Sequence, residues 1–357
     1  MTTIYFDDYY DPKLLYNMGY TMVTCNIALA IGFKYGINKK IPNKITDIDL
    51  SKCQLGVFIF ALLGLYSNFT SGDGVIIALF RSFAQFCIVF SLAYFLQTSK
   101  KYSIIYIIAF IISISVVLHF IFFIYGSRGS SLFLFICISF FLLLKKPQLT
   151  KYIKYFLIFI LLGGSIVSAS ISAFRENLHG ANNEIEYWKN FTKAFMSSRT
   201  KVGMDLGNGA ILLNYCYQND SYNYGTIIWN GFIYNYIPER VFGKEFKESL
   251  QFHPDYEKQI LPLTHGITTV TGYFEAFASF GFLGFILFGL IGFLLGIIWS
   301  RAFFSKVYFI ILIYSLGNIP LVLTHNLQYI FQRWEMIILF VFPIFFYALK
   351  QRKIFIK

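Results

Sequence analysis

His265 and Glu275 stand ten positions apart where a long polar stretch gives way to an apolar run, in Leu263-Thr264-His265-Gly266 and Tyr273-Phe274-Glu275-Ala276. A histidine changes charge near neutral pH and is the usual general base; a buried carboxylate can share that work or orient the imidazole. The chemistry suggested is removal of a proton from a hydroxyl. Taken alone, His265 reads as an interfacial histidine, and Glu275 is what makes it a candidate. His325, in Leu323-Thr324-His325-Asn326 at the end of a later apolar run, is the rival base. His179 and His253 have no supporting context.

Arginines form the second group: Arg81, Arg128, Arg175, Arg199, Arg240 and Arg333, six of the eight in the chain. A guanidinium is planar and suited to bidentate binding of phosphate. Arg128 lies in Gly126-Ser127-Arg128-Gly129-Ser130-Ser131, where small residues before an apolar run expose backbone N–H groups at a helix start. Such a start favours an anion. The competing reading is an arginine touching lipid phosphate. Arg81 lies about two turns inside an apolar run, where it either faces protein or snorkels to the interface. Arg175, Arg199, Arg240 and Arg333 each read singly as surface ion pairs, Arg333 having Glu335 nearby.

These residues need a membrane framework. The chain has 357 residues, is 57% hydrophobic and only 13% charged, with a mean hydropathy of +0.60. A soluble domain carries about 25% charged residues, so the fold expected is an all-α, polytopic integral membrane protein. Apolar runs cover 14–33, 53–69, 75–97, 102–125, 129–145, 152–172, 270–299, 306–324 and 334–349. At about 20 residues per crossing these give about nine helices, some of them short. The organisation expected is an N-terminal bundle over 1–172, a large polar region over 173–269 and C-terminal helices over 270–357.

Sidedness follows from the basic residues. Lys34, Lys39, Lys40, Lys44 and Lys52, then Lys100 and Lys101, then Lys145, Lys146, Lys151 and Lys154, and finally Lys350, Lys353 and Lys357 fall in one set of alternate loops. Lysine-rich short loops stay cytoplasmic. With an odd number of spans the N-terminus is then outside, consistent with Asp7 and Asp8, and the C-terminus inside. The six arginines fall on the outer side with the polar region; Arg301 and Arg352 break the pattern. That sorting points to an anionic, phosphorylated ligand handled from the outer face.

The polar region is long enough to be functional in its own right. Ile185, Trp188, Phe191 and Phe195 share a helical face, as in a helix lying on the membrane. The Tyr- and Trp-rich stretch from Tyr215 to Tyr236 reads as an interfacial belt or as platforms for sugar rings. Gly289, Gly292 and Gly296 suit close helix packing. The formal charge of +12 does not mark a nucleic-acid binder, because the lysines flank apolar runs instead of forming one face. Cys25, Cys53, Cys87, Cys137 and Cys216 show neither CxxC nor metal-ligand spacing. No metal or cofactor is expected.

His265-Gly-Ile-Thr-Thr-Val-Thr-Gly-Tyr-Phe-Glu275, followed by Gly281-Phe-Leu-Gly284, resembles the segment after the large outer loop in O-antigen polymerases and ligases. Gly126-Ser127-Arg128-Gly129 resembles the Ser-Arg-Gly loop of that superfamily, and the stretch from Pro238 to Lys244 is loosely similar to a Pro-Arg…Lys-Pro motif of its polymerases. Here Glu239 intervenes and Glu245 replaces the proline. Ligases carry His-Asn where this chain has His265-Gly266, which favours the polymerase branch. The resemblance implies a GT-C-like, metal-independent, inverting glycosyltransferase in the bacterial cytoplasmic (inner) membrane. It implies undecaprenyl-diphosphate-linked oligosaccharides as donor and acceptor, O-antigen or capsule as product, and a chain-length regulator and a flippase as partners.

Other functions weigh differently against the same residues. A flippase or other transporter of lipid-linked oligosaccharide needs its arginines along a path through the membrane, and inverted-repeat transporters show an internal symmetry absent here. A ligase-type transferase shares most of the motifs. A scaffold leaves the arginines and His265 without a role. A transferase using lipid monophosphate sugars places a carboxylate in its first outer loop and starts inside.

Overall fold

A computed structural model describes residues 12–69, 75–97, 103–119, 133–134, 136–139, 141, 208–237, 239–252, 270–324, 327, 343 and 345–353. Helices dominate them. Helix α1 spans Pro12–Ile37, α2 Gln54–Phe69, α3 Val75–Gln97 and α4 Ile104–His119. Further along come α5 (Thr226–Tyr236), α6 (Glu239–Phe242), α7 (Lys244–Ser249), α8 (Gly272–Phe280), α9 (Phe285–Ala302) and α10 (Lys306–Thr324). Among the described residues three stretches are long and apolar enough to cross a membrane: Lys13–Ile37, Leu50–Phe69 and Gly272–Ala302. Shorter apolar helices cover Ser82–Leu96, Ile104–His119 and Lys306–Gly317.

The outward faces of these helices are apolar. On α2, Leu55, Ile59, Leu62, Tyr66 and Phe69 are exposed, while Val57, Phe60, Ala61, Gly64 and Ser67 on the opposite face are buried. On α1 the exposed stripe is Tyr16, Tyr20, Val23, Ile27, Ile31 and Tyr35, and the buried face includes Asn17, Thr21 and Cys25. A helix facing water carries its charged residues outward. Here the pattern is inverted, as expected for helices surrounded by lipid tails. Without a hydrophobic drive between helices, small residues and close contact must hold them together.

Packing divides the chain into two compact units. The first comprises Met1–Lys40, Lys201–Ser300 and Ile319–Trp334; the second comprises Ile41–Thr200, Arg301–Asn318 and Glu335–Lys357. In the first, α1 meets α9 through glycines. A Cβ added at Gly32, Gly292 or Gly296 would collide with the carbonyls of Gly289, Leu29 and Phe33 respectively. The packing role expected for Gly292 and Gly296 is therefore seen directly. In the second unit, α2, α3 and α4 surround an apolar core that includes Phe86, Phe90 and Tyr106. The Tyr106 hydroxyl donates to the Leu50 carbonyl at 2.7 Å.

Three features depart from the sequence expectation. The apolar run 270–299 is not one continuous helix. It breaks after α8 at Gly281, whose φ of 58° and ψ of −141° suit glycine alone, and passes through a 3-10 turn, Gly281–Gly284, into α9. The run 334–349 ends earlier than expected, in a 3-10 turn at Phe346–Ala348. Lastly, the mostly helical fold, as expected of an all-α chain, includes one small sheet: β1 (Lys44–Ile48) pairs antiparallel with β2 (Leu349–Lys353), Ile45 opposite Arg352 and Ile48 opposite Leu349.

The sheet anchors a helix start. The Asp47 carboxylate accepts from the Lys306 N–H at 2.8 Å, and the Ser305 hydroxyl donates to the Thr46 carbonyl at 2.6 Å. A strand carboxylate thus caps the first turn of α10 from outside the helix. Asp49 beside it accepts from the Ser51 hydroxyl at 2.6 Å, and that bond holds its carboxyl below the usual range.

Candidate functional site

Helix α8 is the only place where a sequence-selected candidate has a described side chain. Residues Gly272 to Ser279 are all buried. Thr271 precedes the helix in an extended conformation, and its carbonyl accepts from the Phe274 and Glu275 N–H groups at 3.0 and 3.1 Å. Its hydroxyl is buried and makes no hydrogen bond among the described residues. Helix propensity alone does not hold so short an element. Its two ends are fastened by other parts of the chain.

At the first end, Glu275 is 3% exposed and its Oε2 accepts from the Leu327 N–H at 2.6 Å. A Cβ on Gly272 would strike the Val322 carbonyl. Tyr273 stacks on Phe288 with ring centroids 5.2 Å apart, and its hydroxyl donates to Asn26 Oδ1 of α1 at 3.2 Å. Tyr273 and Ala276, the helix neighbours of Glu275, belong to one apolar cluster with Cys25, Phe288, Val322 and Leu327.

At the other end, a turn from the polar region closes the helix. The Asn223 N–H donates to the Ala278 carbonyl at 2.9 Å, and the Tyr224 N–H to the Ser279 carbonyl at 3.0 Å. Asn223 Oδ1 accepts from the Gly225 N–H at 3.0 Å and from the Ser279 hydroxyl at 3.2 Å. The Tyr222 ring packs against Gly281, 3.2 Å from where a Cβ would stand. These bonds satisfy the carbonyls that the break in the helix would otherwise orphan. Irregular backbone in a membrane-spanning region is tolerated only where protein or a water-filled cavity surrounds it.

The polar region also fastens its own later segment. Helical residues 208–219 precede the turn, and α5 follows it. The Trp229 Nε1–H donates to the Leu250 carbonyl at 2.9 Å, and Asn230 bonds the Phe252 backbone through both amide atoms. Trp229 stacks on Phe232, both about half exposed, and Tyr224 is 74% exposed at a φ of 49°. This arrangement serves an interfacial belt and a sugar platform alike. Burial pushes the Cys216 thiol up to about 12.

No family model, curated protein or solved structure matches the chain. The site therefore rests on its own residues. Glu275 is in place as a buried carboxyl. Arg81 lies on α3 and Arg240 on α6 by their backbones. His265, His325, Arg128, Arg175, Arg199 and Arg333 fall outside the described residues, as does the surface helix expected near 185–195. Sequence reasoning missed Asn223 and the Leu327 amide. Asn223 had a signal, since Asp220-Ser-Tyr-Asn-Tyr-Gly225 is turn composition. A backbone N–H has none.

Proposed function

We propose that the chain is an inverting, metal-independent glycosyltransferase that joins undecaprenyl-diphosphate-linked repeat units at the outer face of the bacterial cytoplasmic membrane. Its product would be O-antigen or capsule. The observation that carries this reading is the buried Glu275 at the head of an interrupted apolar helix, ten residues after His265 and bonded to the chain just after His325. An ionisable residue inside a membrane segment is a functional candidate by default.

In the proposed reaction the acceptor hydroxyl attacks the anomeric carbon of the donor sugar. The new C–O bond forms as the bond to the lipid diphosphate breaks, and the configuration inverts. A base takes the hydroxyl proton, with His265 the first candidate and His325 the second. Negative charge grows on the departing diphosphate. Arg128 and the other outer arginines would stabilise it, most strongly where water is excluded.

Transport of the same lipid-linked oligosaccharide is the second reading, because transporters also bind substrate at broken helices. A deletion strain separates the two. A missing polymerase leaves single repeat units displayed outside, whereas a missing flippase leaves none there. Single units that lengthen into ladders on complementation support polymerisation; absence of any outward-facing units supports transport.

A further inference from the structure

Helix α1 carries its own depth scale. Its exposed stripe is aromatic at Tyr16 and Tyr20, aliphatic at Val23, Ile27 and Ile31, and aromatic again at Tyr35. Tyrosine and tryptophan gather where hydrocarbon meets headgroups, and aliphatic side chains fill the space between. From Tyr16 to Tyr35 a helix rises about 28 Å, close to the roughly 30 Å of bilayer hydrocarbon. In the orientation expected from the lysines, Tyr16 and Tyr20 mark the outer boundary.

Helix α9 runs parallel to α1. Phe282, just before it, meets the Tyr20 ring edge-on with centroids 5.4 Å apart. Further down, a Cβ on Gly32 would strike the Gly289 carbonyl and one on Gly296 the Phe33 carbonyl. Helix α8 runs the other way. Phe277 packs on Phe282 at 5.1 Å, a Cβ on Gly284 would strike the Ala276 carbonyl, and Tyr273 stacks on Phe288. As the first number of these pairs falls, the second rises, so α8 and α9 form a hairpin folded at Gly281–Gly284. The Tyr273 hydroxyl reaches Asn26 on α1, about 9 Å deeper than Tyr20. Helix α8 therefore starts within the outer leaflet and climbs to its surface, and of the two helices α9 alone is left to cross.

Helix α5 is pinned to this arm. Just before it, Asn223 and Tyr224 bond the carbonyls of Ala278 and Ser279. Ile227 packs against the cluster holding Phe274, Phe277 and Ala278, and Ile228 against the one holding Tyr273, Ala276 and Phe288. That contact places α5 at the depth of α8. Trp229 and Phe232 nevertheless stay about half exposed, stacked with centroids 5.9 Å apart. The one polar atom of the indole is already bonded to the Leu250 carbonyl, so the ring offers only carbon outward. We propose that α5 lies in the outer leaflet at the boundary of headgroups and acyl chains, with Trp229 and Phe232 as a lipid-contact face covered by the acyl chains of phospholipid. The polar region is thereby moored to the membrane beside α8. The mooring is independent of the transferase reading, and it makes this part of the Tyr- and Trp-rich stretch a belt instead of a sugar platform.

Tryptophan emission reads this directly. The chain has four tryptophans, and Trp188→Phe, Trp299→Phe and Trp334→Phe together leave Trp229 as the sole reporter. The full-length variant is reconstituted in phosphatidylcholine liposomes whose acyl chains carry bromine near the ester end, near the methyl end, or nowhere. A face sunk about 5–10 Å into the boundary touches the ester-end bromines, so emission falls about twofold or more in those liposomes and less in the methyl-end ones. Loss of emission to aqueous iodide with none to either bromolipid puts the ring in water and overturns the proposal in favour of a platform. Quenching by neither means that protein covers the face, and overturns it too. Stronger quenching from the methyl end refutes the boundary depth. A second measurement leaves the tryptophans in place. A nitroxide on Phe232→Cys, in a chain whose native cysteines are buried, collides more often with membrane-dissolved oxygen than with a water-soluble nickel chelate. The opposite preference overturns the proposal even if the triple tryptophan variant fails to fold.

Discussion

Arg128 and the two histidines carry the sharpest claims at the scale of single residues. If Arg128 holds a diphosphate bidentately, Arg128→Lys keeps the charge but loses the fork, and activity should fall at least about tenfold. A headgroup anchor tolerates the exchange. Polymer length in a complemented deletion strain, at matched protein levels, distinguishes them: a normal ladder from the lysine variant rejects the diphosphate role. For the base, His265→Ala should leave single repeat units, a loss on the order of 10²–10⁴-fold, while His179→Ala and His253→Ala make normal polymer. Should His325→Ala abolish polymer while His265→Ala does not, the base is His325. Glu275 itself was legible in the sequence as a lone carboxylate in an apolar run. Its partner was not, because every residue but proline carries the N–H that Leu327 supplies.

Helix limits were legible wherever polar or basic residues bracket an apolar run. The spans expected at 14–33, 53–69, 75–97 and 306–324 lie on α1, α2, α3 and α10. The interruption after α8 was hidden, because Phe280-Gly281-Phe282-Leu283-Gly284-Phe285 is apolar throughout and hydropathy does not register a change of backbone angle. Pairing of β1 with β2 was hidden for a different reason: residues such as Ile48 and Leu349 lie far apart in sequence, and five-residue strands leave little periodic signal. Gly281 offers the element-scale test. Its backbone region is strained for any residue with a Cβ, at about 1–3 kcal/mol, and the Tyr222 ring would lie only 3.2 Å from that Cβ. Gly281→Ala should lower the melting temperature in detergent, whereas Gly243→Ala, with open space around its Cβ though also at positive φ, should do so less. Equal shifts would deny the break at Gly281 any special packing role.

For the whole molecule, the structure gives helices fit to cross a membrane, and the orientation comes from lysine bias. The expected arrangement has the N-terminus and residues 173–269 outside and the C-terminus inside. Single cysteines at Ser99 and Asn219 should then label oppositely with an impermeant thiol reagent; equal labelling ends that topology. The five native cysteines are buried, which keeps the background low even before they are replaced. The central claim is that this chain alone joins lipid-linked repeat units. Its most direct test supplies the purified protein, reconstituted in liposomes, with a labelled undecaprenyl-diphosphate-linked repeat unit and no other protein. The account predicts a ladder growing by one repeat at a time, with one lipid diphosphate released per addition and inverted configuration at each new linkage. Repeat units that stay single while crossing the bilayer would contradict it.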